Sequence, residues 1–473
     1  MFKNEKIIFI ICSVLALSSC SNDFVETEFY QSKEQETITS VEELQAFVYG
    51  IYGAMIGMPY YGADYIMYGE IRSDEMFSNR GSGYYNAVAA NTMTSANGNA
   101  GGTYNNIYVV VAKTNIVINT PDAGIKWSKS TDPAEIQHKV NYLKAQAYAL
   151  RALAIFDLMR LYGQQYSGGS LGVVMPLQYD PKGVKARSSL AENRTQIESD
   201  FTKALQLMQY YADNSLEKYA NKTELNTLSV KGLMTRYYLY KNDMGKVRTL
   251  VNDIVSSNKY SVVAKDLFIT SFSLQNASPN SIFELYIGTP NARPDLGLNA
   301  MMNSRGGYKN VVMKTSAIAK YAAGDIRKTG ITVVSSGGFM DYKYSDISGI
   351  DNVRVCRLEE ILLNGAEAEL NGGSTSKALD YLNMIARNRG IPDYTSADMQ
   401  LIKDERIREL TGEGFRMWDL LRWGNNLPFT ESNGSPNPAK DWILGTNRVA
   451  FPIPQSETNV AGTPVVSNPG YDN

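Results

Sequence analysis

Apolar positions recur at helical intervals in several separate stretches of this chain. Leu44, Val48, Ile51 and Met55 follow Ser40 at steps of four and three, which marks one buried helix face. Ser40 and Glu43 have the spacing of a capping box. Tyr104 to Ile118 reads as a second helix. The clearest one begins at Asp132, an N-cap followed by Pro133 in the first turn and Glu135 at the third position. Its apolar face runs through Ile136, Val140, Leu143, Ala147, Leu150, Ala154, Leu158 and Leu161 until Gly163. At a rise of 1.5 Å per residue this predicts a rod of roughly 40 Å, a scaffold element. A coiled-coil seam is the rival reading, but the pattern covers one helix only.

Thr195 with Glu198 predicts the next capping box. Helical hairpins are expected around Lys241-Asn242-Asp243-Met244 and around Asn371-Gly372-Gly373-Ser374. Their second members carry Val247, Val251, Ile254 and Ala378, Leu382, Ile385, a spacing that Ile197, Phe201 and Ala204 share. The copies lie 50 and then 131 residues apart, so a regular repeat array of fixed period is absent. Between Tyr260 and Val353 the chain turns rich in Ser, Asn and Gly, with one strand expected at Ile282 to Ile287. Loops that long inside a compact domain are usually functional or disordered, and here a functional role is expected.

The amino-terminal end has a different pattern. Lys3 and Lys6 precede an apolar run from Ile7 to Leu17, and Leu17-Ser18-Ser19-Cys20 follows. That run falls short of the roughly 20 residues a membrane-spanning helix needs and suits a signal peptide. The form is that of a lipoprotein signal, residues 1–19, with Cys20 as the acylated residue and 20–38 as a tether. Each buried methylene of an acyl chain contributes about 0.8 kcal/mol. Cys12 leaves with the signal and Cys20 goes to lipid, so Cys356 is the one cysteine left and no internal disulfide can form. With 46 basic against 48 acidic residues there is no basic footprint for nucleic acid, and neutral ligands fit better than polyanions.

Catalysis finds little support. The single histidine, His138, sits beside Lys139 on the charged side of a helix and reads as solvated; one imidazole builds neither a histidine triad nor a histidine metal cluster. No catalytic residue, metal or cofactor is expected. Cys356 reads as a buried small hydrophobe. Asp74 with Glu75, or Glu359 with Glu360, are the adjacent acids from which a glycosidase pair could be drawn. The acids of the late stretch are better read as helical ion pairs, Glu405 with Arg408, Arg406 with Glu409 and Arg416 with Asp419, worth a few tenths of a kcal/mol each when exposed. Phe415, Trp418 and Leu421 are expected to pack beneath them.

Binding is better supported. Tyrosine, 31 of 473 residues, clusters at Tyr60, Tyr61, Tyr65, Tyr68, Tyr84 and Tyr85 around Arg72, Asp74, Asn79 and Arg80. Sugar rings present flat C–H faces to aromatic rings while their hydroxyls need donors and acceptors, so this composition suits a glycan. The alternative is that the tyrosines are core or rim residues with satisfied hydroxyls. A second patch is Asn291, Arg293, Asn303, Arg305 and Tyr308, whose alternative is an ordinary polar loop.

Three motifs carry a family resemblance. The run Asp404-Glu405-Arg406-Ile407-Arg408-Glu409-Leu410 with Gly412-Glu413-Gly414-Phe415-Arg416-Met417-Trp418-Asp419-Leu420-Leu421-Arg422-Trp423-Gly424 resembles the signature of the SusD/RagB family. Arg357 to Glu369, and the tail Phe451-Pro452-Ile453-Pro454-Gln455-Ser456-Glu457 with Asn468-Pro469-Gly470-Tyr471, resemble it too. Tyr108, Val111, Asn115 and Ile118 resemble the family's early aromatic-rich helix, with Tyr104 where many relatives carry tryptophan; Arg187 to Glu192 is a further match. The resemblance implies a mostly α SusD-like fold with tetratricopeptide-like hairpins and an irregular loop-rich lobe with few strands. One SusD-like domain would span 39–473, with a helical scaffold at about 40–256 and 355–424, the lobe at about 257–353 and a tail at 425–473. It implies a surface lipoprotein of the outer membrane that captures oligo- or polysaccharide for a SusC-like TonB-dependent transporter. The acidic residues after Cys20 accompany surface export in such lipoproteins. Peptide capture by a RagB-like protein, a surface hydrolase and a protein scaffold are the other readings.

Overall fold

The capping box at Ser40 forms and starts the first helix. The Ser40 hydroxyl accepts the Glu43 N–H at 3.2 Å while the Glu43 carboxylate accepts the Ser40 N–H at 3.1 Å. Helix α1, Val41–Met55, then buries Leu44, Val48, Ile51 and Met55 as the spacing predicts. The computed structural model describes residues 37–178, 183–213, 221–273 and 278–471; the expected signal peptide and the expected acylation at Cys20 lie outside them. Residues Ser40–Asn473 form one compact unit.

Two helices, α2 (Asp64–Ile71) and α3 (Gly98–Asn119), lead to the central rod α4, Pro133–Tyr162, whose N-cap Asp132 accepts the Ala134 N–H. From Ala149 to Tyr162 every residue of α4 is buried. The expected single stripe therefore holds only for its first half, because α3 packs against one side of the rod and α5 (Leu190–Asp213) against another. Helix α5 begins nearly two turns earlier than Thr195 suggests. Ser189 and Glu192 make the reciprocal bonds of the box, at 3.2 and 2.7 Å, leaving Thr195 inside the helix with its hydroxyl donating to the Ala191 carbonyl.

Two hairpins follow where the pattern places them. Helices α6 (Thr227–Tyr240) and α7 (Met244–Ser256) pair, as do α8 (Leu358–Leu370) and α9 (Thr375–Arg387), and α8 packs on α7. The stripes Val247, Val251, Ile254 and Ala378, Leu382, Ile385 are buried. Helices α10 (Met399–Leu410) and α11 (Arg416–Arg422) complete the scaffold.

The lobe holds more strand than its composition suggests. A four-stranded antiparallel sheet has the order β1 (Met76–Ser78), β3 (Val311–Met313), β5 (Gly337–Met340), β4 (Ile331–Val334). A second ladder pairs β2 (Ser281–Leu285), the expected strand, with β6 (Val353–Arg357). Glycines break the periodicity of β5, which is why the sequence does not show it as a strand.

The late signature is a buried ionic core rather than a row of exposed pairs. Arg327, Arg357 and Arg389, from the lobe, the start of α8 and the end of α9, converge on Glu409 at 2.9, 2.6 and 2.9 Å. Glu405 does pair with Arg408, at 2.7 Å, and also with Arg327. The other two expected pairs are replaced. Arg406 reaches Asp419 on α11 at 2.6 Å, not Glu409, and Arg416 reaches Asp74 at 2.6 Å, not Asp419. Partners within one helix lost to partners on other elements because these side chains point inward, where each charge must be matched. Gly414, at φ +82°, reverses the chain between α10 and α11; Gly69 of α2 comes so near that a Cβ there would lie 2.5 Å from the Gly414 carbonyl oxygen. Glu70 accepts the Gly414 N–H at 2.5 Å. Two positions read from the tail are structural as well: the Phe451 N–H donates to the Leu161 carbonyl at 2.8 Å, and Asn468 donates to the carbonyls of Tyr162 and Phe451.

Candidate ligand-binding surface

The early tyrosines divide into two groups with different fates. Asp157, on the buried half of α4, accepts the hydroxyls of Tyr60 and Tyr61 at 2.6 and 2.9 Å and that of Tyr65 at 2.8 Å, with Arg160 at 2.5 Å. Tyr60 and Tyr61 come from the turn Met58–Gly62 and Tyr65 from α2. Trp418 of α11 stacks on Tyr65, 6.2 Å between centroids at 24°. With 0, 4 and 3% of their surface exposed, Tyr60, Tyr61 and Tyr65 are core residues that tie α4 to the signature helix. The expectation that they form a sugar platform is corrected. Tyr85 is also core: its hydroxyl bonds Asp64 at 2.9 Å. Burial pushes the Asp64 carboxyl up to about 6, against the Tyr85 and Tyr68 hydroxyls that favour its charge.

Tyr84 and Tyr308 behave otherwise. Strands β1 and β3 pair Ser78 with Val311, and the contact continues past the ladder: the Asn79 N–H donates to the Asn310 carbonyl at 2.9 Å and the Asn79 amide to the Lys309 carbonyl at 2.8 Å. The Asn310 amide in turn donates to the Tyr84 carbonyl at 3.1 Å. This brings the two patches together, with the rings of Tyr84 and Tyr308 4.5 Å apart, tilted by 59° and both half-buried. The neighbouring Tyr308 hydroxyl and partial burial hold the Tyr84 phenol above its ordinary value. Arg80, Tyr85 and Lys309 have φ of 57°, 63° and 49°. Left-handed backbone at a residue other than glycine costs of order 1–3 kcal/mol, and such strain gathers at functional sites.

The remaining candidates are engaged within the protein. Arg80 donates to the carbonyls of Ala89 and Thr430 at 3.3 and 3.2 Å and lies over the Phe429 ring. Burial acts to raise the Asp74 carboxyl, but the Arg416 guanidinium outweighs it and holds the acid below its usual range. Arg293 borders a crevice of about 20 Å³ beside Gly62, room for a water and not a sugar. Sequence reasoning missed Lys309 and Asn310, since nothing in a short Asn- and Gly-containing loop shows that β1 is its neighbour.

The acids from which a hydrolase could be drawn are committed elsewhere. Glu359 accepts from Asn280 and Arg389, and Glu360 from Arg236, all buried. Burial and the adjacent Glu70 carboxylate raise Glu75 well above its ordinary value. Cys356 is 1% exposed. His138 differs from its solvated reading: its ring is half-buried and stacks on Tyr210 at 3.3 Å between centroids.

Residues 332–471 match the model of the SusD family, and residues 23–240 match a model described as starch-binding associating with outer membrane. The chain belongs to the SusD family. The SusD-like protein P38 of Formosa agariphila is 22% identical, over 89% of this chain and 92% of that one. Among solved structures, a putative sugar binding protein from Bacteroides vulgatus has TM-score 0.80 and 24% identity, covering 92% of this chain and all of that one. A laminarin binding SusD-like protein has TM-score 0.70 and 19% identity over 92% and 100% of the two chains. These likenesses show the SusD fold across the helical scaffold, lobe and tail.

Proposed function

We propose that this protein captures neutral glycan chains at the outer face of the outer membrane and passes them, uncleaved, to a SusC-like TonB-dependent transporter. The Tyr84–Tyr308 pair carries the reading. It offers two partly exposed aromatic rings beside amide groups, on a backbone held in strained conformations at three neighbouring residues. Aromatic faces take the C–H side of a sugar while amides and backbone groups take its hydroxyls, and the near balance of charge over the chain suits an uncharged polymer. The likeness in fold to a sugar binding protein and to a laminarin binding protein supports the same ligand class.

Among the described residues no helix is long and apolar enough to cross a membrane, and a lipid on Cys20 supplies the anchor in this reading. The exposed faces of the helical hairpins then serve as the surface that closes over the transporter, as stacked helix pairs do in other docking proteins. Mild detergent extraction followed by pull-down on this chain tests the assignment. A large outer-membrane barrel should come down with it, its yield lost on Cys20→Ala, and deletion of the protein should impair uptake of the glycan. Recovery of the chain alone, with uptake unchanged, contradicts the delivery role.

A further inference from the structure

A concave site lies on elements that the Tyr84–Tyr308 surface does not use. Between α3, the segment from Val174 to Gln178 and the tail from Ser456 to Val465 runs an open groove of about 600 Å³, inside the range of about 300–1,000 Å³ common for small-ligand sites. Tyr104 and Tyr108 form part of its wall, with their rings 4.6 Å apart. The Tyr108 hydroxyl donates to the Val174 carbonyl at 2.9 Å, so a half-exposed ring is fixed in place. Val109 and Val460, 45 and 55% exposed, add apolar surface at the rim.

Glu457 is the unusual member. Its side chain lines the groove half-buried, and it makes no hydrogen bond or ion pair with another described residue. A partly desolvated carboxylate without a donor is a cost to the free protein that a hydroxyl-bearing ligand relieves. Asn105, exposed one turn before Val109, offers an amide to the same space. Among the described residues that line the groove one is an acid, Glu457, and one a base, Lys185, so these bring no net charge to recruit an ion. Fixed aromatic and aliphatic surface, one unsatisfied acceptor and an amide are together the features of a saccharide site.

We propose that this groove binds a short segment of neutral glycan, its C–H faces on Tyr108 and Val109 and its hydroxyls on Glu457 and Asn105. The inference rests on the glycan-binding reading above and gives the protein two separate contacts with one polymer. A two-point grip raises the effective concentration of the chain at the second contact once the first is made.

The test uses the full chain and four neutral probes: maltohexaose, laminarihexaose, xylohexaose and mannohexaose. Binding is read by saturation-transfer NMR and calorimetry on wild type, on Y84A/Y308A, on N105A/E457A and on the fourfold variant, with melting curves confirming that each is folded. The groove substitutions lie at the surface, so folding is retained. The expected result is binding that persists in Y84A/Y308A and falls at least about tenfold, or 1.4 kcal/mol, when N105A/E457A is added. Loss of all binding in Y84A/Y308A, with N105A/E457A equal to wild type, overturns the groove and leaves the first site standing. Residual binding that ignores N105A/E457A overturns the groove too. Loss of all binding in N105A/E457A alone keeps the groove and overturns the Tyr84–Tyr308 reading. No binding of any probe to wild type overturns both.

Discussion

Tyr84 and Tyr308 stand ring to ring, their centroids 4.5 Å apart, although helices α3 to α7 come between them in the chain. Only the pairing of β1 with β3 makes them neighbours. Because both rings are partly exposed, their loss should reach the ligand and spare the fold. Changing both to Ala should weaken glycan binding by about 1–3 kcal/mol, the usual worth of hot-spot aromatics, and shift the melting temperature by no more than a surface substitution does. Calorimetry beside a thermal melt reads both. A collapse in stability without a binding defect would assign the pair to the core.

Tyr60, Tyr61 and Tyr65 should show the reverse. Asp157 holds all three hydroxyls, and removing its carboxylate strands Arg160 as a buried charge. Asp157→Ala should cost roughly 3–5 kcal/mol. Each Tyr→Phe change should cost about 1.5–3 kcal/mol, as hydrogen bonds to a charged group do, with glycan affinity retained in the folded variants. Denaturant unfolding checks the first and titration the second; a folded Tyr65→Phe protein that no longer binds would count against this division.

The helical scaffold was largely legible in the sequence. Ser40 with Glu43 and Asp132 with Pro133 cap helices where their spacing places them, and the hairpins fall at their polar turns. Thr195 misled because Ser189 with Glu192 offers the same chemistry nearly two turns earlier. The tyrosine cluster misled for a different reason. Composition shows that rings and polar groups lie close in the chain, but their facing depends on Asp157, far away on α4, which reads as one more polar position in a helix. Arg406, Glu409 and Arg416 likewise have plausible partners three residues off, and only the packed structure shows that partners on other elements are nearer.

Removing the hub of the ionic core should be costly. Glu409 faces Arg327, Arg357 and Arg389 with no exposed surface. Glu409→Gln leaves three buried guanidinium groups short of a charge, and a loss of roughly 3–5 kcal/mol is expected. Chemical denaturation of the variant measures it; a change within about 0.5 kcal/mol, as at ordinary surface sites, would show that the three cations are neutralised by other acids.

The same core sets the response to acid. Burial alone would raise the carboxyls of Glu405, Glu409, Glu413 and Asp419, but the facing arginines outweigh it and hold all four below their ordinary values. An acid lowered in this way stabilises the fold above its unfolded pKa of about 4, and that contribution is lost as pH falls through the folded value. The melting temperature should therefore drop steeply once pH goes below about 5. Asp64 has the opposite sign. Its carboxyl sits at about 6 against an ordinary 3.8, so the penalty of its charge is absent in acid, grows between those values and is complete above them. Asp64→Asn should raise the melting temperature at pH 7 and leave it unchanged at pH 3.5. A wild-type curve that stays level down to pH 3, or an Asp64→Asn protein less stable at pH 7, contradicts these signs.

The claim that this SusD-family chain holds glycan at the junction of β1 and β3 is tested most directly by a crystal structure with a bound oligosaccharide. Of the four neutral hexasaccharides, the one that binds tightest in solution is the ligand to use. The account predicts an intact oligosaccharide with a sugar ring against Tyr84 or Tyr308 and hydroxyls within hydrogen-bonding distance of the surrounding amide and backbone groups. A sugar bound only elsewhere, with both rings bare, or a cleaved product in the site, would contradict it.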